Sequence, residues 1–485
     1  MAAHGREDAV SESNRRLEEL LEQLELRQVL AELDDPERGG ALAKPKAQLL
    51  RGRALAGLEE HHTAYGLFSE LRKERDISGL DRVEALYWSA RVLRRASPLV
   101  DFALELSQAA AESGARAGAR GKVFAAWARV ESALLFARKR CPKLAQAELD
   151  KARGLGVELA RTYAGEAEVA LAFDDRASAR RSYEAALGSG EPRGAWLGHL
   201  GLARVLTLAG EFEAAEQHLR ELEPAAALDL PLLRTRSELL SAQAKWDELA
   251  AVLGQIIEIT PEGDLTPSTR YERAGALYRA GRREEASRAW QELADPKDYY
   301  GKLALRMLEK TKNAEAKATR LAAFPSVSQL RNHCGPASVE LCLRFFGTAA
   351  DQVDVAREIK HPDGGTPVHR MRWYMDRAGF STRRVEADLP KLKAILAAGV
   401  PVILEEDYSM SRHVAVAIGY DDRRELLEVQ DPMTHEVRET FYEDLPRLRE
   451  FSNHGALVAI PRGRADLEQA LDALGAVECV YMTKT

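Results

Sequence analysis

A small residue followed by apolar residues four and seven positions later recurs down the first two thirds of this 485-residue chain, and it narrows the choice of fold more than any other feature. The instances are Ala64/Phe68/Leu71, Ala145/Leu149/Ala152, Ala179/Tyr183/Ala186, Ala215/Leu219/Leu222, Leu249/Leu253/Ile256 and Ala286/Trp290/Leu293. Offsets of four and seven place the three side chains on one face of a helix. From Ala145 onward the first members are 34, 36, 34 and 37 residues apart. Each interval is the length of one helix-turn-helix unit, so a stack of helical hairpins is expected, each burying its apolar face on the next. Ala103/Ser107/Ala110 is a weaker instance, 39 and 42 residues from its neighbours.

The surrounding composition agrees. Residues before about 320 are rich in Ala, Leu, Glu and Arg, good helix formers, and poor in β-branched runs. A leading helix is expected over residues 14–33, with Leu17, Leu20, Leu21 and Leu24 as its apolar stripe. Aligning residues 200–215 with 273–286 makes Ala203 equivalent to Ala274 and Gly210 to Gly281, small residues at a helix crossing and at a turn. This pattern resembles the tetratricopeptide repeat. The resemblance implies an all-α solenoid whose concave face is a docking surface for a peptide or protein partner.

Around residue 320 this texture gives way to apolar segments punctuated by Gly and Pro. The chain is longer than one hydrophobic core usually serves, and the expected division is an N-terminal helical segment 1–45, helical repeats 46–311, a linker 312–323, a second domain 324–462, and a C-terminal helix and short strand over 463–485. A net charge of −7, with Lys and Arg scattered among acidic residues, is not the basic footprint of nucleic-acid binding. Four cysteines with no CxxC spacing suggest neither a disulfide framework nor a zinc site, and a reducing compartment fits them. No apolar run is long enough to span a membrane and the N-terminus carries no apolar signal core, so a cytoplasmic protein is expected.

In the second domain Cys334 directly precedes Gly335-Pro336 and an apolar run. Proline suits the first helical turn, which puts Cys334 at a helix N-terminus, where free amides and the helix dipole favour a thiolate. Equally, it is a small buried hydrophobe. Gln329, on the loop entering that helix, is either an oxyanion donor or a solvated surface residue. His413 opens a strand over residues 413–420, in which it shares a face with Ala415, Ala417 and Gly419 while Val414, Val416 and Ile418 fill a core. A second strand over 426–430 ends at Asp431-Pro432, and hairpin pairing brings Asp431 beside His413. Asp421 and Asp422 fall at the far end of that hairpin.

Gln-x4-Cys-Gly-Pro-Ala-Ser, a later His opening a Val/Ala strand that ends Gly-Tyr-Asp, and a following Asp-Pro resemble the C39 family of papain-fold cysteine peptidases. The resemblance takes in residues 366–380 as a middle helix and 397–404 as a first buried strand. It implies an α+β papain-like domain in which Cys334 is nucleophile, His413 base and later acid, Asp431 orienter and Gln329 oxyanion donor, acting on a peptide or protein substrate with no metal or organic cofactor. His333, before the nucleophile, departs from the small polar or acidic residue common there, and the ATP-binding cassette of peptide exporters is not found in this sequence. Two other outcomes share the same residues: acyl transfer to an amine, as in a transglutaminase, and a catalytically silent scaffold. Cys342, beside Leu341 and Leu343, reads as core. Cys141 reads as a helix-start residue and Cys479 as part of a short apolar strand. His361, His369, His435 and His454 share no metal-site spacing.

Overall fold

The computed structural model describes residues 2–22, 25–35, 42–75, 77–222, 229–311, 317–362, 364–408, 412–433 and 437–473. The recurring triplets lie on the second helices of successive hairpins, with Leu222 in the turn just past the end of its own. These second helices are His61–Lys73, Val100–Gly114, Pro142–Gly154, Arg176–Leu187, Phe212–Arg220, Trp246–Ile259 and Arg283–Leu293. Their partners are Lys44–Gly57, Gly79–Ala96, Gly118–Arg138, Leu159–Ala172, Gly194–Ala209, Leu230–Ala242 and Thr266–Arg279. This is the tetratricopeptide-like architecture. Ala64, Phe68 and Leu71 are fully buried, and the triplet members from Ala145 to Trp290 are at most 6% exposed; Leu293 alone is half-buried. Ala103, Ser107 and Ala110 are just as buried. That hairpin is a full member whose irregular spacing comes from long first helices, 18 residues in Gly79–Ala96 and 21 in Gly118–Arg138.

A second periodic feature is conformational. Five residues before the first member of six triplets stands a residue with left-handed backbone: Glu59 (φ 63°), Arg140 (59°), Asp174 (66°), Gly210 (75°), Ala244 (57°) and Gly281 (83°). Each turns the chain from the first helix of a hairpin into the second. Glycine does this without steric cost, whereas an L side chain costs roughly 1–2 kcal/mol there.

The chain divides into two compact units. The first comprises Met1–Val205, Ala214–Ser237 and Ala251–Arg273. Within it the early and late hairpins meet: Arg234 pairs with Glu59 at 2.6 Å, Arg27 donates to the Ile259 carbonyl at 3.0 Å, and the Asp264 carboxylate accepts from the His61 and His62 amides at 2.9 and 3.2 Å.

The second unit comprises Leu206–Glu213, Glu238–Ala250 and Ala274–Thr485. It is built on an antiparallel sheet of β1 (Ala318–Arg320), β2 (Phe380–Glu386), β3 (Val402–Asp407), β4 (Arg412–Asp421), β5 (Leu426–Gln430), β6 (Val437–Phe441) and β7 (Gly455–Pro461), in spatial order β2-β7-β3-β4-β5-β6 with β1 on β4. Val414, Val416 and Ile418 of β4 face one core, which holds Ala337 and Leu341 of helix Cys334–Phe345, Val355 of Gln352–Ile359 and Met371 and Met375 of Val368–Arg377. Ala415 and Ala417 face the other, against Leu392, Ile395 and Leu396 of helix Leu389–Ala397. Gly419 sits at a register shift, and a Cβ there would lie 2.6 Å from the Thr319 carbonyl, so glycine is what lets β1 approach.

Local readings shift at four places. The leading helix expected over 14–33 is two helices, Ala2–Glu22 and Leu26–Asp34, and Leu24 lies outside the described residues. The helix expected over 366–380 spans Val368–Arg377, and β2 begins at Phe380. Residues 397–401, read as strand, are a helix end and a turn through Gly399 (φ 86°), with β3 starting at Val402. Residues 318–320, read as linker, form β1, which is too short to show a periodic signal. The tail helix is Ala465–Ala473; the strand around Cys479 lies outside the described residues, as does His435.

Around Arg424 of the second unit the buried charge is closely matched. The Arg424 side chain, 2% exposed, pairs with Asp421 at 2.9 Å, with Glu428 at 3.3 Å and with Glu439. Arg279 reaches Glu439 at 2.6 Å. Burial pushes Glu439 up, but these two guanidinium groups outweigh it and hold the carboxyl at about 2.

Backbone conformation and close packing have opposite consequences for stability at two positions. Ala244→Gly removes left-handed strain against a smaller unfolded-state cost, and the urea midpoint should rise by an amount worth on the order of 0.5–1 kcal/mol. Gly201→Ala would set a Cβ 2.1 Å from the Tyr183 ring. Its helix-propensity gain of about 1 kcal/mol is outweighed by an overpacking cost of roughly 1–3 kcal/mol, so the midpoint should fall.

Candidate active site

Cys334 opens helix Cys334–Phe345 and is half-buried, with Pro336 in the first turn. Gly335 is required by packing, since a Cβ there would lie 2.6 Å from Thr366. His413, at the start of β4, and Asp431, just past β5, are each 3% exposed, and His413 Nε2 meets Asp431 Oδ1 at 2.8 Å. His413 is also close enough to the Cys334 sulfur for its charge and hydrogen bonding to act on the thiol. With Nε2 engaged by the carboxylate, Nδ1 is the ring nitrogen left for the thiol.

The structure thus brings together three of the four sequence-derived candidates around one imidazole. The fourth, Gln329, lies on the loop before the helix. Its amide donates to the Pro432 carbonyl at 2.6 Å, one residue after Asp431, and its side-chain Oε1 is buried with no partner among the described residues. Asp421 and Asp422 are occupied elsewhere, the former by Arg424 and the latter by the Tyr442 hydroxyl at 2.8 Å. Cys342 is buried, and desolvation pushes its thiol far up. Among the described residues no group of three His, Cys, Asp or Glu side chains could hold a metal ion, and no helix is long and apolar enough to cross a membrane.

The electrostatics favour charge separation. Burial raises the Cys334 thiol, but the hydrogen bond and charge of His413, with the backbone amides of Val414 and Gly335, bring it below its ordinary value. Burial lowers His413, yet Asp431 and Cys334 outweigh this and carry it up to about 9. Burial raises Asp431, and His413, the Met433 amide and Arg438 together pull it down. The linkage signs follow. The contribution of His413 to stability is full below its ordinary pKa of 6.5 and is lost as pH rises through about 9; that of Asp431 is present above 3.8 and is lost as pH falls through its depressed value.

Several supporting residues escaped the sequence. Arg438 donates to Asp431 Oδ2 at 3.0 Å and to Glu406 Oε2 at 2.6 Å, and the Tyr408 hydroxyl reaches Glu406 at 2.9 Å. The result is an alternating chain of charge running Cys334, His413, Asp431, Arg438, Glu406. Glu406 was recoverable, because it lies opposite His413 in the β3/β4 register; Arg438 sits on β6, which has no strong apolar alternation. The Gln329 loop is pinned by Gln352, whose side chain accepts from the Leu330 amide at 2.7 Å and donates to the Ser328 carbonyl at 2.9 Å. Glu340 in turn accepts from the Gln352 amide at 2.9 Å.

Residues 321–453 match the family described as Peptidase_C39 like, less than half of the chain. That stretch is a Peptidase C39-like domain, and tetratricopeptide-like repeats precede it. Among solved structures, the peptidase domain of Streptococcus ComA, a bi-functional ABC transporter involved in a quorum-sensing pathway, is 20% identical over 29% of this chain and 99% of that one, with a TM-score of 0.26. A tetratricopeptide repeat protein from Parabacteroides merdae is 13% identical over 55% of this chain and 97% of that one (TM-score 0.32), and apo RapI is 13% identical over 62% and 90% (TM-score 0.31). No curated protein matches the chain.

The charge chain yields a signed prediction. Arg438→Met removes positive charge behind Asp431, and the onset of Cys334 alkylation by iodoacetamide should move to higher pH. Glu406→Gln leaves Arg438 less neutralised and should move that onset to lower pH. If both variants lose thermal stability with no displacement of the alkylation profile, the pair has a packing role only.

Proposed function

We propose that the C-terminal domain, residues 324–462, is a cysteine peptidase acting on a peptide or protein substrate, with the helical repeats recruiting a peptide or protein. The observation that carries this reading is His413, buried, hydrogen-bonded to the Asp431 carboxylate at 2.8 Å and close enough to Cys334 to lower the pKa of its thiol. Among the described residues Cys141, Cys334 and Cys342 are free thiols, which agrees with a reducing compartment such as the cytoplasm.

In the proposed reaction the Cys334 thiolate attacks the scissile carbonyl carbon, forming the C–S bond as the carbonyl π electrons move onto oxygen. The Gln329 side-chain amide and the Cys334 N–H face that oxyanion. Collapse of the tetrahedral intermediate breaks the C–N bond, and the His413 imidazolium gives its proton to the leaving amine. Water, deprotonated by the now neutral His413, attacks the thioester carbonyl, and the thiolate leaves with the imidazolium regenerated. Asp431 holds the ring in the tautomer that serves both transfers.

Incubating the chain with a denatured-protein pool and mapping new termini by mass spectrometry tests the reading. Cys334→Ala should abolish cleavage. Gln329→Ala should lower kcat by roughly 10²–10³-fold while leaving Cys334 alkylation intact. Activity should fall as pH rises through about 9, where the imidazolium that protonates the leaving group is lost. Incorporation of labelled amines in place of new termini would instead identify an acyltransferase. Neither product, with Cys334 no more reactive than Cys141, would sink both.

A further inference from the structure

The first unit holds a cluster of arginines that its own carboxylates do not neutralise. On helix Gly79–Ala96, Arg91 and Arg94 are both taken by Glu131 of helix Gly118–Arg138, at 2.9 and 2.5 Å. Arg204 of helix Gly194–Ala209 pairs with Glu168 of helix Leu159–Ala172 at 2.5 Å, and Glu168 also accepts from the Tyr183 hydroxyl at 2.7 Å. The nearby acids are therefore already engaged, whereas Arg95, Arg161 and Arg193 have no carboxylate partner among the described residues.

Arg161 is the most telling. Its guanidinium stacks on the Trp127 ring at 4.0 Å, and its Nη1 is buried with no hydrogen-bond partner. Desolvation, then the like charges of Arg91 and Arg193, hold its pKa down. Beside it Trp127 meets Tyr87 at 5.5 Å and Phe124 at 5.1 Å, and the indole N–H groups of Trp127 and Trp88 are also buried without acceptors. Buried donors without acceptors are destabilising, so a region that collects several of them is organised for something that brings the acceptors.

We infer that these first helices of the hairpins form a binding site for an acidic polypeptide segment, whose Asp and Glu side chains pair with Arg95, Arg161 and Arg193 and whose backbone carbonyls accept from the two indoles. Two observations select this occupant over a small oxyanion. The basic residues lie on or beside three first helices of the stack, and neighbouring packed helices stand about 8–10 Å apart, further than one phosphate reaches. A dianion would also sit among Glu131 and Glu168, whereas separate carboxylates match individual guanidinium forks and carry less charge. The indoles, on helices Gly79–Ala96 and Gly118–Arg138, add donors at separate points that successive carbonyls of an extended peptide backbone can reach together. This deepens the recruiting role proposed for the repeats, and it does not depend on Cys334 being reactive.

The test uses the full chain carrying Cys334→Ala, so that peptide is not consumed. It is titrated by calorimetry and tryptophan fluorescence with a synthetic Glu/Asp-rich peptide, with its Gln/Asn counterpart, and with inorganic phosphate. The acidic peptide should bind at least tenfold more tightly than the neutral one and weaken with added salt, and phosphate should neither bind comparably nor displace it. Arg161→Met, which keeps bulk against Trp127, should weaken binding by roughly tenfold or more, the loss expected for one charge-assisted contact. Arg95→Met provides an independent variant, and both are checked for parental helicity by circular dichroism. Equal affinity for the two peptides, parental affinity in both folded variants, or phosphate saturating the site as well as the acidic peptide would each overturn the assignment. None of those results bears on Cys334 alkylation or proteolysis, so the two readings fail separately.

Discussion

The placement of one imidazole depends on a strand that has no freedom to move. β4 is hydrogen-bonded along one edge to β3 and β1 and along the other to β5, and it is packed on both faces. A one-residue slip would turn Val414, Val416 and Ile418 out of one core and Ala415 and Ala417 out of the other. The three groups around His413 come from separate parts of the chain and share only this strand: Cys334 on a helix packed against its Val/Ile face, Asp431 at the end of its hairpin partner, and Glu406 opposite it on β3. The geometry is set by the sheet as a whole and not by the loop that carries Asp431.

Much of this was legible because it depends on period. The triplets from Ala64 to Trp290 gave the hairpin array, since burial at offsets of four and seven leaves a compositional trace. The β4/β5 hairpin gave the His413–Asp431 proximity, since a short turn fixes which strand ends meet. The turn conformations were only partly visible. Gly210 and Gly281 announce left-handed backbone, but Glu59, Arg140, Asp174 and Ala244 adopt it under the constraint of the helices they join, and no local propensity reveals that. Arg438 and Gln352 were invisible for a related reason: each acts through partners on other elements, Arg438 through Asp431 and Glu406 and Gln352 through the 328–330 loop.

The buried arginines divide into two kinds. Arg424 and Arg438 are surrounded by carboxylates, and their charge is distributed through networks that close on themselves. Removing one member of such a network leaves an uncompensated charge in a poorly solvated place, which is costly although the intact pair contributes little. Arg161 is of the other kind, desolvated by an aromatic surface and without an anion. The first arrangement fixes structure; the second leaves hydrogen-bonding capacity unmet.

The contacts of Glu59, His61 and His62 with Arg234 and Asp264 alter how the repeat array can come apart. In a linear stack each repeat touches only its neighbours, so the terminal ones peel away first and cheaply. Tying an early hairpin to a late one removes that easy exit, because detaching the early hairpin also strips Asp264 of its two amide donors. The first unit should therefore open less like a zipper than like a ring, in which no hairpin is terminal and a break at one joint is resisted by those on either side.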